Sequence, residues 1–78
     1  MNIYPVICTA TLPKADPVVE ITECFRTLRE AEEYFARTME LYEDDVRYTC
    51  DLTDGVFIAH SQLSNIKYYY EIHKVEVN

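Results

Sequence analysis

One segment of the chain carries apolar residues at helical spacing, and strand-like segments lie on both sides of it. Residues 27–45 read TLREAEEYFARTMELYEDD. An apolar residue recurs there every three or four positions, which aligns these side chains on one face of a helix. A single amphipathic helix among strands can bury this face only against a sheet, so the pattern predicts an α+β fold. The residues on this face are Leu28, Ala31, Phe35, Met39 and Tyr42, and we expect Leu28, Phe35 and Met39 in the core.

The predicted helix begins with a capping box at Thr27 and Glu30. In this motif the threonine oxygen accepts a hydrogen bond from a free amide, and the glutamate reaches back to the amide of the threonine. Glu33 and Arg37 are one turn apart, which predicts an ion pair on the solvent-exposed face. The start of the helix is therefore explained by its own local sequence.

The predicted helix ends in a cluster of carboxylates. Glu40, Glu43, Asp44 and Asp45 follow one another at the end where the helix dipole is negative, and no glycine is present to cap it. One interpretation is a solvated turn from helix to strand, where aspartate is common. The other is an acidic patch that binds a basic partner. A calcium loop is not predicted, because the D-x-D-x-D-G spacing is absent.

Two strands are predicted before the helix and three after it. Residues 3–11 and 18–25 are strand-like, and the turn segment 12–17 with its two prolines joins them into a hairpin that leads into the helix. Pro5 has no amide to donate, so we expect it near the strand start or at a sheet edge. The predicted order is β-β-α-β-β-β: an antiparallel sheet of about five strands with the helix packed on one face.

Two tight turns predict the register of the three strands after the helix. Asp54-Gly55 favours a type I′ turn that pairs Cys50 with Ala59, although a three-residue turn over 53–55 is a competing register. Ser64-Asn65 favours a second tight turn, which pairs Ala59 with Tyr70. The first of these strands is predicted over 46–52, with Val46 facing the helix. The last strand changes faces near His73, which indicates a bulge or an extension beyond the sheet.

The predicted register also defines the composition of the outer sheet face, the one turned away from the helix. It places Thr49, His60 and Tyr69 in one row and Asp51, Ile58 and Glu71 in the next. One helix covers only one side of a sheet. This outer face, with both polar and apolar residues, is therefore either exposed to solvent or packed against another copy or a partner. The candidate partner-binding residues on this face are Asp51, Ile58, His60, Tyr69 and Glu71.

No catalytic or metal-binding signature is present in the sequence. His60 beside Tyr69 and Glu71 is the only grouping that suggests acid–base chemistry, and such groups on open strands are usually cross-strand contacts. The chain has one glycine, no phosphate-binding loop and no nucleophile motif. Its histidines and cysteines lack zinc spacing. We therefore predict no enzymatic activity, no metal and no cofactor.

Length and charge restrict the class of partner. The chain has 78 residues, which predicts a single domain over 1–78, and its net charge is −7. Strong acidity argues against direct binding of nucleic acid or of an anionic membrane through a basic footprint. It is compatible with a basic protein partner, or with solubility alone.

The cysteines predict a reducing compartment. Cys8, Cys24 and Cys50 are an odd number and form no C-x-x-C motif, although a bridge between Cys8 and Cys24 across the first hairpin is an alternative. The first residues lack the basic region of a signal peptide, and no apolar run reaches membrane-spanning length. The expected location is the cytoplasm, that of the host cell if a phage encodes the protein.

In size, charge, strand–helix layout and the FRTLREAEEYF segment that enters the helix, the chain resembles small acidic accessory proteins of phages and mobile elements. Anti-CRISPR and anti-restriction inhibitors belong to this class. The resemblance includes no signature motif and assigns no functional residues. It implies a non-enzymatic, stoichiometric inhibitor of a larger, basic, nucleic-acid-handling complex such as a CRISPR or restriction nuclease.

Within that interpretation, the acidic cluster of residues 40–45 would occlude a basic groove. Imitation of DNA by rows of carboxylates is a second mechanism, but Arg29, Arg37 and Arg47 interrupt the acidic pattern. The alternative function is a homodimeric structural or regulatory module that associates through the outer sheet face, Ile58 and Tyr69 especially. A ligand carrier or small-molecule enzyme would need a pocket between helix and sheet.

Overall fold

The helix and the strands form where the apolar periodicity places them. A computed structural model describes all residues from Met1 to Asn78 and packs one helix against an antiparallel sheet, which confirms the α+β prediction. The elements in chain order are β1 (Asn2–Thr11), β2 (Val18–Phe25), α1 (Leu28–Glu43), β3 (Tyr48–Thr53), β4 (Val56–Ser61), β5 (Lys67–Ile72) and β6 (Val75–Glu76).

The N-terminus of α1 is capped as the sequence predicts, with one difference in the hydrogen bonds. The Thr27 hydroxyl oxygen accepts a bond from the Glu30 amide at 3.2 Å. The Glu30 carboxylate accepts a bond from the Thr27 hydroxyl at 2.9 Å, and does not reach the Thr27 amide. The predicted ion pair of Glu33 with Arg37 is also wrong, because Glu33 pairs with Arg29 at 3.3 Å.

The five long strands lie in the order β2-β1-β5-β4-β3, and the two-residue β6 pairs with the start of β1. Strand β1 is therefore an interior strand, so Pro5 lies near the start of its strand, as one of the two alternatives predicted, and not at a sheet edge. Pro5 has no amide hydrogen to donate, and its nitrogen faces the break between β5 and β6. The Pro5 carbonyl accepts a hydrogen bond from the His73 amide at 2.9 Å. The chain does change near His73, where a bulge or an extension beyond the sheet was predicted, but it does so by a break between β5 and β6, and β6 pairs with β1.

The turn between β3 and β4 follows the sequence prediction. Asp54 and Gly55 both have positive φ, 51° and 78°, as a type I′ turn requires. Cys50 pairs with Ala59 and Leu52 with Phe57, so the two-residue register is confirmed and the three-residue alternative is wrong.

The predicted register between β4 and β5 is wrong by two residues. Ala59 pairs with Tyr68 instead of Tyr70. The connection is a four-residue loop over 62–65, closed by a bond from the Ser61 amide to the Ile66 carbonyl at 2.9 Å. Asn65 ends this loop with a φ of 60°, in the left-handed region that asparagine tolerates. A shift of two residues keeps every side chain on its predicted face and changes only its neighbours.

Val46 does not begin a strand, contrary to the sequence prediction. The Asp45 side chain accepts a bond from the Arg47 amide at 3.0 Å, and the Asp45 carbonyl accepts one from the Tyr48 amide at 3.1 Å. These bonds form a turn that leaves Val46 96% exposed at its tip. Strand β3 therefore starts two residues later, at Tyr48.

The core lies between α1 and the centre of the sheet. Tyrosine rings surround it, and Tyr42 lies edge-on to Tyr48 with ring centroids 4.8 Å apart. Leu28 is 46% exposed, so the prediction that it lies in the core is wrong, and Met39 is half-buried at the margin. The fully enclosed cluster consists of Val6, Ala31, Phe35, Phe57 and Ala59.

All three cysteines are free thiols. Cys8 pairs with Glu20 and Cys24 with Pro5, so these two cysteines do not face each other across the β1–β2 hairpin. The disulfide alternative is therefore not formed. No helix of the structure has the length and apolarity needed to cross a bilayer.

Candidate binding surfaces

The C-terminal end of α1 presents carboxylates without partners. Glu40, Glu43 and Asp44 are exposed, and no lysine, arginine or histidine lies within ion-pair distance of them. The last turn of α1 contains no basic residue, and Asp44 caps the helix through its amide, which donates to the Glu40 carbonyl at 3.0 Å. Negative charge is therefore concentrated at the negative end of the helix dipole.

Asp45, the fourth residue of the predicted acidic patch, is neutralised by Arg47. Arginine Nε lies 3.0 Å from Asp45 Oδ1, and Nη2 lies 2.7 Å from Oδ2, so the guanidinium contacts both carboxylate oxygens. Hydrogen bonds from the Arg47 side chain and amide lower the pKa of Asp45 from 3.8 to about 2. The acidic patch that remains free for a partner is Glu40, Glu43 and Asp44.

An open groove runs between α1 and strand β3, and we call it the α1–β3 groove. It consists of two cavities of about 350 and 390 Å³ that share Met39 and Leu52. The helix wall is formed by Leu28, Glu32, Phe35, Met39 and Glu43, which are spaced three or four residues apart. The sheet side is formed by Cys50, Asp51, Leu52, Gly55, Phe57 and Ile72.

Sequence reasoning did not identify the α1–β3 groove, although part of its signal was present. The spacing of the helix-wall residues was visible, but Glu32 and Glu43 stood apart from the apolar set that defined the predicted face. The exposed fraction of Leu52, 55%, follows from the position of β3 at the end of the sheet. The strand order, which places β3 at this edge, cannot be derived from periodicity.

Asp51 lies on β3 and protects part of the open edge of that strand. Its Oδ1 accepts a bond from the Leu52 amide at 2.9 Å, and its Oδ2 accepts one from the Thr53 hydroxyl at 3.1 Å. Charged side chains at a sheet edge hinder uncontrolled pairing with other strands. This position also brings Asp51 to the rim of the α1–β3 groove.

The outer sheet face has different rows from those predicted, because of the two-residue shift. Ile58 lies between Asp51 and Tyr69, and Tyr69 in turn lies beside Thr9 of β1. Glu71 lies beside Ile7. Ile58, Tyr69 and Glu71 are half-buried on this open face. The further apolar side chains here are Ile7, which is half-buried, and Val19 and Ile21 of β2, which are 63% and 64% exposed.

His60, Tyr69 and Glu71 do not come together as a group. His60 pairs with Lys67 across β4 and β5, and its Nε2 lies 2.8 Å from Asn65 Oδ1. Glu71 is bonded to His73 Nε2 at 2.5 Å. The predicted proximity is wrong because it depended on the tight Ser64-Asn65 turn. No cluster of three or more histidine, cysteine, aspartate or glutamate side chains has an arrangement that could hold a metal ion.

A half-buried, hydrogen-bonded pair of tyrosines links α1 to β5. The Tyr42 and Tyr70 hydroxyl oxygens are 2.8 Å apart, and Tyr70 lies beside Cys8 across strands β1 and β5. Burial is the main cause that raises the pKa values of Tyr42, Tyr70 and Cys8. The Cys8 thiol is therefore kept in its unreactive neutral form, and we interpret this network as a satisfied polar contact at the margin of the core.

No protein-family model, curated protein or solved structure matches this chain.

Proposed function

We propose that this chain is a non-enzymatic binding protein that docks on a basic surface of a larger protein through the C-terminal end of α1. The observation that carries the proposal is the set of three exposed, unpaired carboxylates, Glu40, Glu43 and Asp44. Each opposes the helix dipole at a cost of about 0.3–1 kcal/mol at low salt. A residue pattern that lowers local stability is expected where function requires it.

The charge of the whole chain supports the same partner class. A net charge of −7 attracts a cationic surface over long range and accelerates its encounter with the chain. Because Arg47 already neutralises Asp45, the attraction would be directed by the three free carboxylates. Such steering weakens as salt screens the charges.

The resemblance to anti-CRISPR and anti-restriction proteins makes a nuclease complex the first partner to test. The proposed mechanism is stoichiometric occlusion of a basic groove that the nuclease uses for nucleic acid. Local occlusion fits the compact acidic end of α1 better than DNA mimicry, since Arg47 lies beside that end. The proposed location is the cytoplasm, which the three free thiols support.

The decisive experiment reverses the three free carboxylates together. The variant Glu40→Lys, Glu43→Lys, Asp44→Lys is titrated, beside the wild-type chain, against a panel of purified RNA-guided and restriction nuclease complexes. We expect the variant to lose affinity by about tenfold or more at low salt, with a smaller loss at high salt. Nuclease inhibition, measured as protection of a DNA substrate from cleavage, should fall in parallel.

The matched control is Asp16→Lys, Glu20→Lys, Glu23→Lys, which makes the same change in net charge on exposed residues of the first hairpin. This control should retain most of the affinity. Equal losses in the two variants would mean that only total charge matters. Unchanged affinity in the α1 variant, at any salt concentration, would eliminate docking through this end of the helix.

A second candidate function, a homodimeric module, is favoured by the open outer face. Ile58 and Tyr69 lie side by side there, with Ile7 and Ile21 adjacent to each other on β1 and β2. A stable dimer buries about 800 Å² on each partner. Sedimentation velocity at micromolar concentration should then give a dimer that Ile58→Asp converts to a monomer. A wild-type monomer under these conditions would argue against this function.

A further inference from the structure

We infer that the α1–β3 groove receives an extended segment of the partner in which apolar and basic residues alternate. This inference rests on the proposed function, because Glu43 belongs both to the acidic end of α1 and to the wall of the groove. It adds the chemistry and the conformation of the partner segment.

The apolar lining provides the first argument. Leu52 is 55% exposed and Leu28 is 46% exposed, and both line the groove together with half-buried Met39. Phe35 and Phe57 connect the lining to the core, so an apolar side chain placed there would continue the packing already present. Burial of such surface provides affinity roughly in proportion to the apolar area removed from water.

Charge on the rim identifies the other component of the partner segment. Glu32 and Glu43 belong to the helix wall, and Asp51 belongs to β3. None of the residues that line the groove is a lysine, arginine or histidine. An occupant with lysine or arginine beside its apolar residues is therefore complementary to this groove, and an acidic occupant is repelled.

The free edge of β3 favours an extended conformation. Strand β3 is last in the sheet order, so one edge has no neighbour. The type I′ turn pairs Thr53 with Val56, and the alternation of an antiparallel ladder then turns the amide and carbonyl of Cys50 toward the free edge. The Asp51 carboxylate already accepts a bond from the Leu52 amide on this edge, so a partner strand would pair at Cys50, as in recognition by strand addition.

Strand addition also explains why the residues should alternate. Successive side chains of an added strand point to opposite faces of the sheet. Those on the α1 side meet Leu52 and Met39, so they should be apolar. Those on the other side lie beside Asp51, whose row continues with Ile58 on the outer face, so they should be basic. Glu32 and Glu43 lie on the α1 side, where they repel acidic side chains and so restrict that set to apolar or basic residues.

Two native cysteines allow the inference to be tested without added labels. Cys50 lines the groove, whereas Cys24 is exposed on β2 at the opposite edge of the sheet. The probe is an eight-residue peptide of alternating leucine and lysine. Its control is a peptide of the same composition with the four leucines first and the four lysines last. The rate of alkylation of each thiol by N-ethylmaleimide is followed by mass spectrometry.

We expect the alternating peptide to slow alkylation of Cys50 several-fold and to leave Cys24 unchanged. The blockwise peptide should protect Cys50 much less. Leu52→Ser should weaken binding of the alternating peptide by about tenfold, because it removes an apolar contact at the groove. The matched control, Leu63→Ser, makes the same change at a residue that is 81% exposed in the β4–β5 loop, and it should have no effect.

Asp51→Asn provides a second variant, which retains an oxygen to accept the Leu52 amide but removes the charge. This variant should bind the alternating peptide more weakly, while its fold, followed by circular dichroism, is unchanged. Equal protection of Cys50 and Cys24, equal protection by the two peptides, or full protection in Leu52→Ser would each overturn the inference.

The outcome separates this inference from the proposed function. If a nuclease complex loses affinity for the α1 charge-reversal variant but binds Leu52→Ser and Asp51→Asn normally, the acidic end is the docking site and the groove is not. If no nuclease complex responds to the charge-reversal variant while the peptide results hold, the groove inference stands and the proposed route of docking fails.

Discussion

The two ends of α1 differ in how their charges relate to the helix. At the N-terminus, Glu30 and Thr27 bond each other within the capping box, and Glu33 is paired with Arg29. At the C-terminus, Glu40 and Glu43 have no ionic partner, although the helix dipole disfavours negative charge there. The charges at the N-terminal end are explained by the stability of the helix itself. The charges at the C-terminal end are not, which is why we propose that a partner binds them.

The largest expected effect on stability is at Phe35, which lies between the two ends of α1 and packs the helix against the sheet. Phe35 is 8% exposed in the enclosed cluster, so Phe35→Ala should lower the free energy of unfolding by about 3–5 kcal/mol. Leu41→Ala is the control on the same helix, because Leu41 is 75% exposed, and it should change stability by less than about 0.5 kcal/mol. Urea denaturation measures both. Similar values for the two would show that packing does not hold α1 on the sheet.

The next effect tests the N-terminal end alone. Thr27→Ala removes the oxygen that accepts the Glu30 amide, and should cost about 1 kcal/mol of unfolding free energy. Thr27→Ser retains the hydroxyl and should lie close to wild type. The same urea titrations decide the result. If serine and alanine are equally destabilising, the capping bond does not stabilise this end.

A smaller effect, of opposite sign at the two ends, tests the charge comparison directly. Glu43→Lys places a positive charge at the negative end of the dipole and should raise stability by about 0.3–1 kcal/mol at low salt. Glu30→Lys should instead lower stability, because it removes the cap bond to Thr27 and opposes the dipole. Thermal unfolding at low and high salt follows both changes. If Glu43→Lys gains stability and loses partner binding, Glu43 serves binding at the expense of helix stability, unlike the residues at the N-terminal end.

The smallest effect concerns the exposed pair of Asp45 and Arg47. Arg47 lowers the folded-state pKa of Asp45 to about 2, below its ordinary value of 3.8. The stabilisation from this pair is therefore complete above about pH 4 and is lost as the pH falls toward 2. A carbon-detected NMR titration of the Asp45 carboxyl should give the low pKa. Arg47→Gln should return the pKa toward 3.8, and an unchanged pKa in that variant would mean that Arg47 is not its cause.

Most of the secondary structure could be predicted from local signals, and the errors have specific causes. The capping box located the start of α1, and Asp54-Gly55 correctly predicted its turn. The Ser64-Asn65 turn was wrong because a four-residue loop ending at Asn65 also leaves the apolar alternation intact. Val46 was placed in a strand because the bonds from Asp45 that make it a turn residue are not visible in the alternation of side chains.

The candidate surfaces were predictable only in part. The acidic residues from Glu40 to Asp45 stood out as a cluster, but the bond that removes Asp45 from it depends on the turn geometry at Arg47. The outer-face residues lie on the predicted face but have different neighbours from those predicted. Ile58 and Tyr69 are adjacent, and His60 lies in another row. Periodicity reports the side of the sheet on which a residue lies, and it does not report the residue beside it.

Local chemistry in the chain was therefore enough to determine which residues form the helix, which form strands, and which side of each is apolar. These properties follow from dihedral preferences and from a period of 3.6 or 2 residues, both encoded by near neighbours. The strand order, the interior position of β1 and the α1–β3 groove were decided only by tertiary packing. They depend on contacts between residues far apart in sequence, where several arrangements satisfy the same local pattern and the best-packed one prevails.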